Sequence, residues 1–303
     1  MTEPQVDEIR TLLLKRSPRI ANMYALSPFV WREGPVYKLL LRLVPPEADS
    51  AKKIARIHYG ESTDGLTFNV ADEPLISGEE SGEDRDGCED PTVALVDGKY
   101  YIYYTGWNEA QKRGQLMLAA GTDLRHLQKC GVALPWSSDF QNPKEATLAR
   151  ASDGTWRLFF EFAAGGASKI GIAASQAAGG PWTILEPLWH ARPDRWDAWH
   201  LSTGPIADDD SGNPMMFYNG ATADAKWRIG WIRFDASYSR VVARSNDPLI
   251  TPPSPRTRGA TDIAFAASAI ELPDGINLYY SVSDEDLYRA TLRLVAGSAF
   301  VDA

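Results

Sequence analysis

Cysteine and long apolar runs are scarce in this sequence. Cys88 and Cys130 are the two cysteines among 303 residues, which is too few for a framework of several disulfides. We therefore expect the protein to work in a reducing compartment. No run of about 18 apolar residues is present that could span a bilayer. The acidic N-terminus lacks the basic region and long apolar region of a signal peptide. We therefore expect a cytoplasmic protein without a membrane segment.

Positive charge is also in short supply, since the formal net charge is -9. Such a surface repels nucleic acid and anionic membranes, so a neutral or cationic small molecule is the easier partner. The four histidines show no ligand spacing with the cysteines, and we predict neither a metal site nor a cofactor.

Turn formers and a repeated hairpin are what the sequence does contain. There are 24 Gly and 20 Pro, and 44% of the residues are hydrophobic. Similar hairpins begin about 60 residues apart, at Ser27, Asp90, Glu145, Thr203 and Ala267. A second pair of short strands follows each hairpin, and four strands with Gly-centred turns are typical of a propeller blade. We predict an all-β protein, a single five-bladed β-propeller domain over residues 1–303. A β-sandwich, the alternative, would need no such period.

A short helix is the one exception that the pattern predicts. Val6, Ile9, Leu12 and Leu13 follow helical spacing within an N-terminal extension over residues 1–20. This helix would pack on the propeller or on a second subunit, so a homo-oligomer is one possible assembly.

The propeller geometry gathers acids at one place. The first strand of each blade lines the central channel, so the five hairpin starts would ring one mouth of that channel. Two carboxyl groups facing one pocket are typical of an enzyme that cleaves glycosidic bonds, because cleavage needs an acid together with a nucleophile or a base.

The segment "GCEDPTVALVDGKYYIYYTG" (residues 87–106) has an acidic pair followed by proline at the start of a hairpin. It resembles the Gly-x-Glu-Asp-Pro-Arg motif of glycoside hydrolase family 130, the five-bladed propeller family of β-mannoside phosphorylases and β-1,2-mannosidases. Further similar segments cover most of the chain: "VYKLLLRLV", "GESTDGLTF", "WDAWHLSTGPI", "MMFYNGA" and "INLYYSVSDEDLYRATL".

The resemblance implies roles for individual residues. Asp90 would be the general acid, acting in the phosphorylases through a hydroxyl of the bound sugar, while Arg42 and Asp284 would hold the sugar. The residues themselves suggest the same acid, because the like charge of Glu89 raises the pKa of a neighbouring carboxyl. The full set of expected substrate-binding residues is Ser27, Arg42, Glu89, Trp107, Lys144, His200, Asn219 and Asp284.

The departures from the family pattern concern phosphate. A buried phosphate needs cationic partners, and the phosphorylases supply an arginine, a lysine and a histidine. At the aligned positions this chain has Glu161, His200 and Asn219. Glu161 would repel phosphate and could activate water as the catalytic base. Glu145 is the second choice for the base, and the loop of Asp194 and Asp197 is the third.

These features favour an inverting, exo-acting hydrolase of β-linked mannosides, with the β-1,2 linkage as first choice. Three alternatives remain: a phosphorylase with an atypical phosphate site, a furanosidase of the other five-bladed type, and a non-catalytic propeller that binds carbohydrate or a partner protein. Two opposed carboxyl groups favour an enzyme, since a pure binding protein has no need of them.

Overall fold

A computed structural model describes residues 2–49, 52–208, 212–254, 261–283 and 285–297. These ranges are almost wholly β-structure, with a 3₁₀ turn at Leu124–His126 and no α-helix. Accordingly, no helix in the described ranges has the length and apolar character needed to cross a membrane. Cys88 and Cys130 are both free.

The strands are short and mostly joined by tight turns. In chain order they are β1 (Thr2–Thr11), β2 (Leu13–Lys15), β3 (Tyr24–Glu33), β4 (Val36–Val44), β5 (Arg56–Ser62), β6 (Thr67–Ile76), β7 (Gly87–Val96), β8 (Lys99–Asn108), β9 (Arg113–Gly121), β10 (Gln128–Leu134), β11 (Gln141–Arg150), β12 (Trp156–Ala164), β13 (Ala167–Ser175), β14 (Thr183–Leu185), β15 (His200–Ser202), β16 (Ile206–Ala207), β17 (Met215–Met216), β18 (Asn219–Ala221), β19 (Trp227–Ile229), β20 (Ile232–Phe234), β21 (Val241–Arg244), β22 (Ala264–Leu272), β23 (Gly275–Val282) and β24 (Asp286–Ala296).

Antiparallel pairing of strands that are close in the chain builds most of each sheet, and two pairs differ: β2 joins β6 in parallel, and β1 joins β24 from the other end of the chain. Four sheets have the orders β2-β6-β5-β4-β3, β10-β9-β8-β7, β11-β12-β13-β14 and β1-β24-β23-β22. Between them in the chain lie two smaller sheets, β15-β18-β19 and β16-β17-β20-β21, which alternate along one meander. The all-β prediction is confirmed, and the strand groups follow the predicted repeat of about 60 residues.

The sheets contact one another in a closed ring. Strand β3 packs against β7, β7 against β11, and β22 against both β16 and β3, while β15 packs against β13. Apolar side chains of adjoining sheets fill the spaces between them, as where Phe159 packs with Trp189 and Phe234. The first strands of the sheets therefore lie closest to the centre of the ring.

The predicted N-terminal helix is wrong. Strand β1 pairs antiparallel with β24, from Thr2 opposite Ala296 to Thr11 opposite Tyr288. Val6 and Leu12 contact apolar cores, whereas Ile9 and Leu13 are 49% and 58% exposed, so the four do not share one face. The pairing satisfies backbone groups on the otherwise open edge of β24, and this tertiary gain outweighs a weak local helical pattern.

The strand assignment predicts different costs for two apolar residues of β1. Val6→Asp should lower the free energy of unfolding by about 2 kcal/mol, because it places a charge against the apolar core. Ile9→Asp, the matched control, should change it by no more than about 0.5 kcal/mol. Chemical denaturation measures both, and equal losses would contradict the strand register.

Candidate active site

The three inner strands β3, β7 and β11 are irregular at equivalent points. Their pairing with the next strand skips residues at Ser27, Asp90 and Glu145, and these three residues adopt φ values of +52°, +50° and +51°. The left-handed conformation costs a residue other than glycine about 1–2 kcal/mol. It persists only where surrounding contacts impose it.

Hydroxyl groups from neighbouring sheets supply those contacts. The donor–acceptor pairs are Thr92 Oγ1 to the Ala146 carbonyl at 2.6 Å, Thr147 Oγ1 to the Gly204 carbonyl at 2.9 Å, and Ser268 Oγ to the Pro28 carbonyl at 3.0 Å. Thr203 Oγ1 in turn donates to the carbonyl of Glu145. Each irregular segment is thus tied to another sheet through its backbone.

Asn219 belongs to this set of structural contacts, and its role in substrate binding stays a prediction. Its side chain is fully buried. The amide nitrogen donates to the carbonyl of Thr203 at 2.6 Å, and the amide oxygen accepts from the backbone N–H of Ala266 at 2.7 Å. Both ends of the amide are thus engaged in structural contacts.

The irregular segments converge on one small cavity. Its volume is about 300 Å³ with its opening to solvent, and its lining includes all five predicted hairpin starts: Ser27, Asp90, Glu145, Thr203 and Ala267. Residues separated by up to 240 positions in the sequence thereby share a single site.

Asp90 is buried and carries stabilising partners for its negative charge. Ser27 Oγ donates to Asp90 Oδ1 at 2.5 Å, and Arg42 lies between two acids, 3.4 Å from Asp90 Oδ1 and 2.9 Å from Glu89 Oε1. Burial works to raise the pKa of Asp90, but Arg42, Ser27 and Lys144 outweigh it and hold the pKa below its ordinary value. The expectation of a raised pKa for Asp90 is therefore wrong, because Arg42 and Ser27 stabilise its charged form more than burial disfavours it.

Glu145 carries the opposite shift. Its carboxyl group lies within hydrogen-bonding reach of that of Asp90, and two carboxyl groups form such a bond only when one of them is protonated. Burial, followed by the charge of Asp90, raises the pKa of Glu145 well above its ordinary value. Of the two, Glu145 therefore keeps a proton to the higher pH, which disfavours it as the second-choice base, because a base must be ionised.

Lys144 and Glu161 form an ion pair beside these carboxyl groups. They face each other across β11 and β12, and Lys144 Nζ lies 3.3 Å from Glu161 Oε1. Glu161 is only 2% exposed, whereas the Lys144 side chain is 40% exposed. Glu161 is the main cause that raises the pKa of Lys144, with Glu145 and Asp90 adding to it against the effect of burial.

His200 borders this ion pair at the start of β15. Its Nδ1 accepts the backbone N–H of Ser168 at 3.0 Å, and its ring packs on Trp227 with centroids 5.5 Å apart. Burial lowers its pKa, so the ring is neutral at pH 7 and carries its proton on Nε2.

The remaining predicted residues lie in different surroundings. Trp107 lies on β8, two positions after Thr105, the cross-strand partner of Glu89. The Trp107 side chain is half-buried, and its Nε1 donates to Glu109 at 2.9 Å. Asp197 is fully buried between Arg192 and Arg244, so its place as third-choice base is wrong. Asp284 lies outside the described residues.

A larger groove opens next to His200 on the same end of β11 and β12. It encloses about 1,300 Å³ with its opening to solvent, and its aromatic lining includes Phe140, Phe162 and Trp199. Of these, Trp199 is 45% exposed. The sequence analysis gave no role to Phe140 and Phe162, since only the positions of β11, β12 and β15 bring the three together. Across the described ranges, no group of three or more His, Cys, Asp or Glu side chains is placed to hold a metal ion.

Comparison with known proteins identifies related sequences. The sequence model of glycoside hydrolase family 130, described as β-1,4-mannooligosaccharide phosphorylase, matches residues 36–294. A 1,2-β-oligomannan phosphorylase of Thermoanaerobacter sp. (strain X514) is 26% identical over 257 residues, which cover 83% of either chain.

Solved structures show the same fold. The complex of β-1,2-mannobiose phosphorylase from Listeria innocua with β-1,2-mannobiose superposes with a TM-score of 0.76 at 17% identity, covering 94% of this chain and 90% of that one. A second structure comes from work describing family 130 hydrolases that target β-1,2 mannosidic linkages in Candida mannan. It gives a TM-score of 0.75 at 19% identity, covering 89% of this chain and 84% of its own.

The buried amide of Asn219 gives a test of its structural role. Asn219→Ala should lower the free energy of unfolding by about 2–3 kcal/mol, because it leaves the N–H of Ala266 and the carbonyl of Thr203 without their partner. Asn69→Ala, on an exposed position of β6, is the matched control and should cost no more than about 0.5 kcal/mol. A stable Asn219→Ala protein with weakened sugar binding would support the binding role instead.

Proposed function

Because this chain belongs to glycoside hydrolase family 130, we propose that it is an inverting, exo-acting hydrolase of β-linked mannosides. The β-1,2 linkage is the first choice, in keeping with the linkage named for the relatives above. We interpret the closed ring of sheets as a single five-bladed propeller in which the two alternating sheets form one blade.

The ion pair of Lys144 and Glu161 is the observation that favours hydrolysis over phosphorolysis. By the resemblance to the phosphorylases, Glu161 stands where they have an arginine for phosphate, and in this chain the buried carboxylate pairs with the neighbouring lysine. Arg42 is likewise engaged by Glu89 and Asp90. A phosphate dianion needs cations that are free to bind it, so this balance of charge disfavours phosphate and favours water.

The roles follow from the positions of the acids. Asp90 would protonate the leaving oxygen, and Glu161 would take a proton from the attacking water on the opposite side of the sugar. Inversion requires about 6.5–9.5 Å between these two carboxyl groups. Arg42, Glu89 and Ser27 would fix the sugar beside Asp90. Lys144, His200 and Trp107 would contact it from the other walls, with Asp284 as an expected further contact.

Phosphorolysis is the second candidate. The curated relatives are named phosphorylases, and the exposed part of Lys144 beside His200 is the place where a phosphate would have to bind. A non-catalytic sugar-binding propeller is the third, and the hydrogen-bonded pair of carboxyl groups gives it no support.

The product of the reaction separates these candidates. With β-1,2-mannobiose we expect free mannose at a rate that does not change when phosphate is added, because Arg42 and Lys144 are already paired with acidic side chains. Chromatography of mannose and mannose 1-phosphate, on mannobioses of each β linkage, measures this. Mannose 1-phosphate as the main product would establish a phosphorylase, and no product under either condition would support a binding protein.

Two aspartate variants serve as controls for that experiment. Asp90→Asn should reduce turnover about a hundredfold or more, because it removes the proton donor and keeps the shape. Asp97 lies at the other end of the same hairpin, is exposed, and has the same φ of +50°. Asp97→Asn should therefore leave activity unchanged.

Replacing Glu161 tests the proposed base. Glu161→Ala should lose hydrolysis, and azide should restore part of the turnover by attacking in place of activated water. The expected product is α-mannosyl azide, since attack from the face opposite the leaving group inverts the β configuration. Mass spectrometry and NMR identify the product. Glu8→Ala on the exposed face of β1 is the control, and full activity of Glu161→Ala would remove Glu161 from the mechanism.

A further inference from the structure

We propose that Glu145 is a positioning residue for the acid step, holding in the resting site the proton that Asp90 passes to the leaving oxygen. This inference rests on the proposed function and adds to it a residue that acts through Asp90. It gives the hydrogen-bonded carboxyl pair a purpose beyond structure.

The backbone fixes both members of the pair. Asp90 and Glu145 occupy equivalent left-handed positions in adjacent inner strands, and the hydroxyl of Thr92 ties the two segments together through the carbonyl of Ala146. Thr203, from the segment that follows β15, donates to the carbonyl of Glu145 and holds this residue from the other side. Ser27 and Arg42 both contact Oδ1 of Asp90. The contact between the two carboxyl groups is therefore held from both sides.

The surroundings of the pair shift the pKa values of Asp90 and Glu145 in opposite directions. The ionisable groups that face it are Arg42 from β4, Glu89 from β7, Lys144 from β11 and Glu161 from β12. From the remaining walls, the residues lining the cavity are Thr203, Gly204, Phe265, Ala266 and Ala267, none of which is ionisable. Since the pKa of Asp90 is lowered, Asp90 alone would be an anion at neutral pH and could not act as an acid. Burial and the charge of Asp90 raise the pKa of Glu145, so Glu145 is the member of the pair that keeps its proton to the higher pH.

The proton transfer balances as follows. The glycosidic C–O bond breaks with its electron pair on the leaving oxygen, and that oxygen takes a proton from Asp90. Asp90 receives this proton from Glu145 across their hydrogen bond, so both carboxyl groups end as anions near Arg42 and Lys144. The water that attacks the anomeric carbon gives its proton to the base. Return of one proton to the pair restores the resting site.

Glu145→Gln tests the inference, because glutamine can still donate a hydrogen bond to Asp90 but has no carboxyl proton to give. On β-1,2-mannobiose at pH 7 we expect a loss of about a hundredfold in kcat. On 4-nitrophenyl β-mannoside, whose leaving group needs no proton, we expect a loss of less than about fivefold. The alkaline limb of the pH–rate profile on mannobiose should move to lower pH, because the lowered pKa of Asp90 then sets it. Equal losses on both substrates, or an unmoved limb, would overturn the inference.

A second measurement does not depend on activity. A carboxyl whose pKa is raised by folding stabilises the protein at low pH, and this stability is lost as pH rises from the ordinary glutamate range through the folded pKa. The Tm of Glu145→Gln should therefore rise relative to wild type as pH increases over that range, while Glu8→Gln should track wild type. A Tm difference between Glu145→Gln and wild type that does not change with pH would overturn the inference. If this difference appears but wild type cleaves no mannoside, the carboxyl pair stands and the proposed function fails.

Discussion

Side chains that cross from one sheet to the next hold the irregular backbone at the centre of this molecule. Ser27, Asp90 and Glu145 sit in the left-handed region, which is unfavourable for each of them. The hydroxyls of Thr92, Thr147 and Ser268, with the amide of Asn219, bind backbone groups of the neighbouring inner segments. Removing one such contact leaves a buried backbone group unpaired as well as relaxing a bulge. The contacts that join the sheets into a ring therefore also set the geometry of the site.

This arrangement determines the electrostatics. The equivalent bulges bring Asp90 and Glu145 together, and Arg42 and Lys144 from two different strands accompany them. Two adjacent carboxyl groups in a buried site cannot both be ionised without large cost, so one takes the proton. Arg42 and Ser27 contact Asp90 and stabilise its charged form, so Glu145 is the member that keeps a proton to the higher pH. The cation next to Asp90 comes from another sheet, which is why neighbours in space matter more here than neighbours in sequence.

Periodic features could be predicted from the sequence, and isolated features could not. The repeat of about 60 residues indicates which segments are equivalent, so the convergence of Ser27, Asp90, Glu145, Thr203 and Ala267 follows from it. The first 15 residues contain no repeat, and their apolar spacing suits a helix as well as a strand that joins β24. The structural contacts of Asn219 and the sign of the shift at Asp90 were also missed, because both depend on which groups approach from other sheets.

On the proposed function, the residue opposite Lys144 determines whether water or phosphate attacks the sugar. Cross-strand partners on β11 and β12 share one face of the sheet, so the side chain at position 161 meets the lysine at short range. An arginine there would place two cations side by side, and a bound anion would relieve their repulsion. Glu161 neutralises the lysine within the protein and leaves a carboxylate oriented by it. The same backbone thus accommodates an anion site or a general base, and the sign of one charge decides between them.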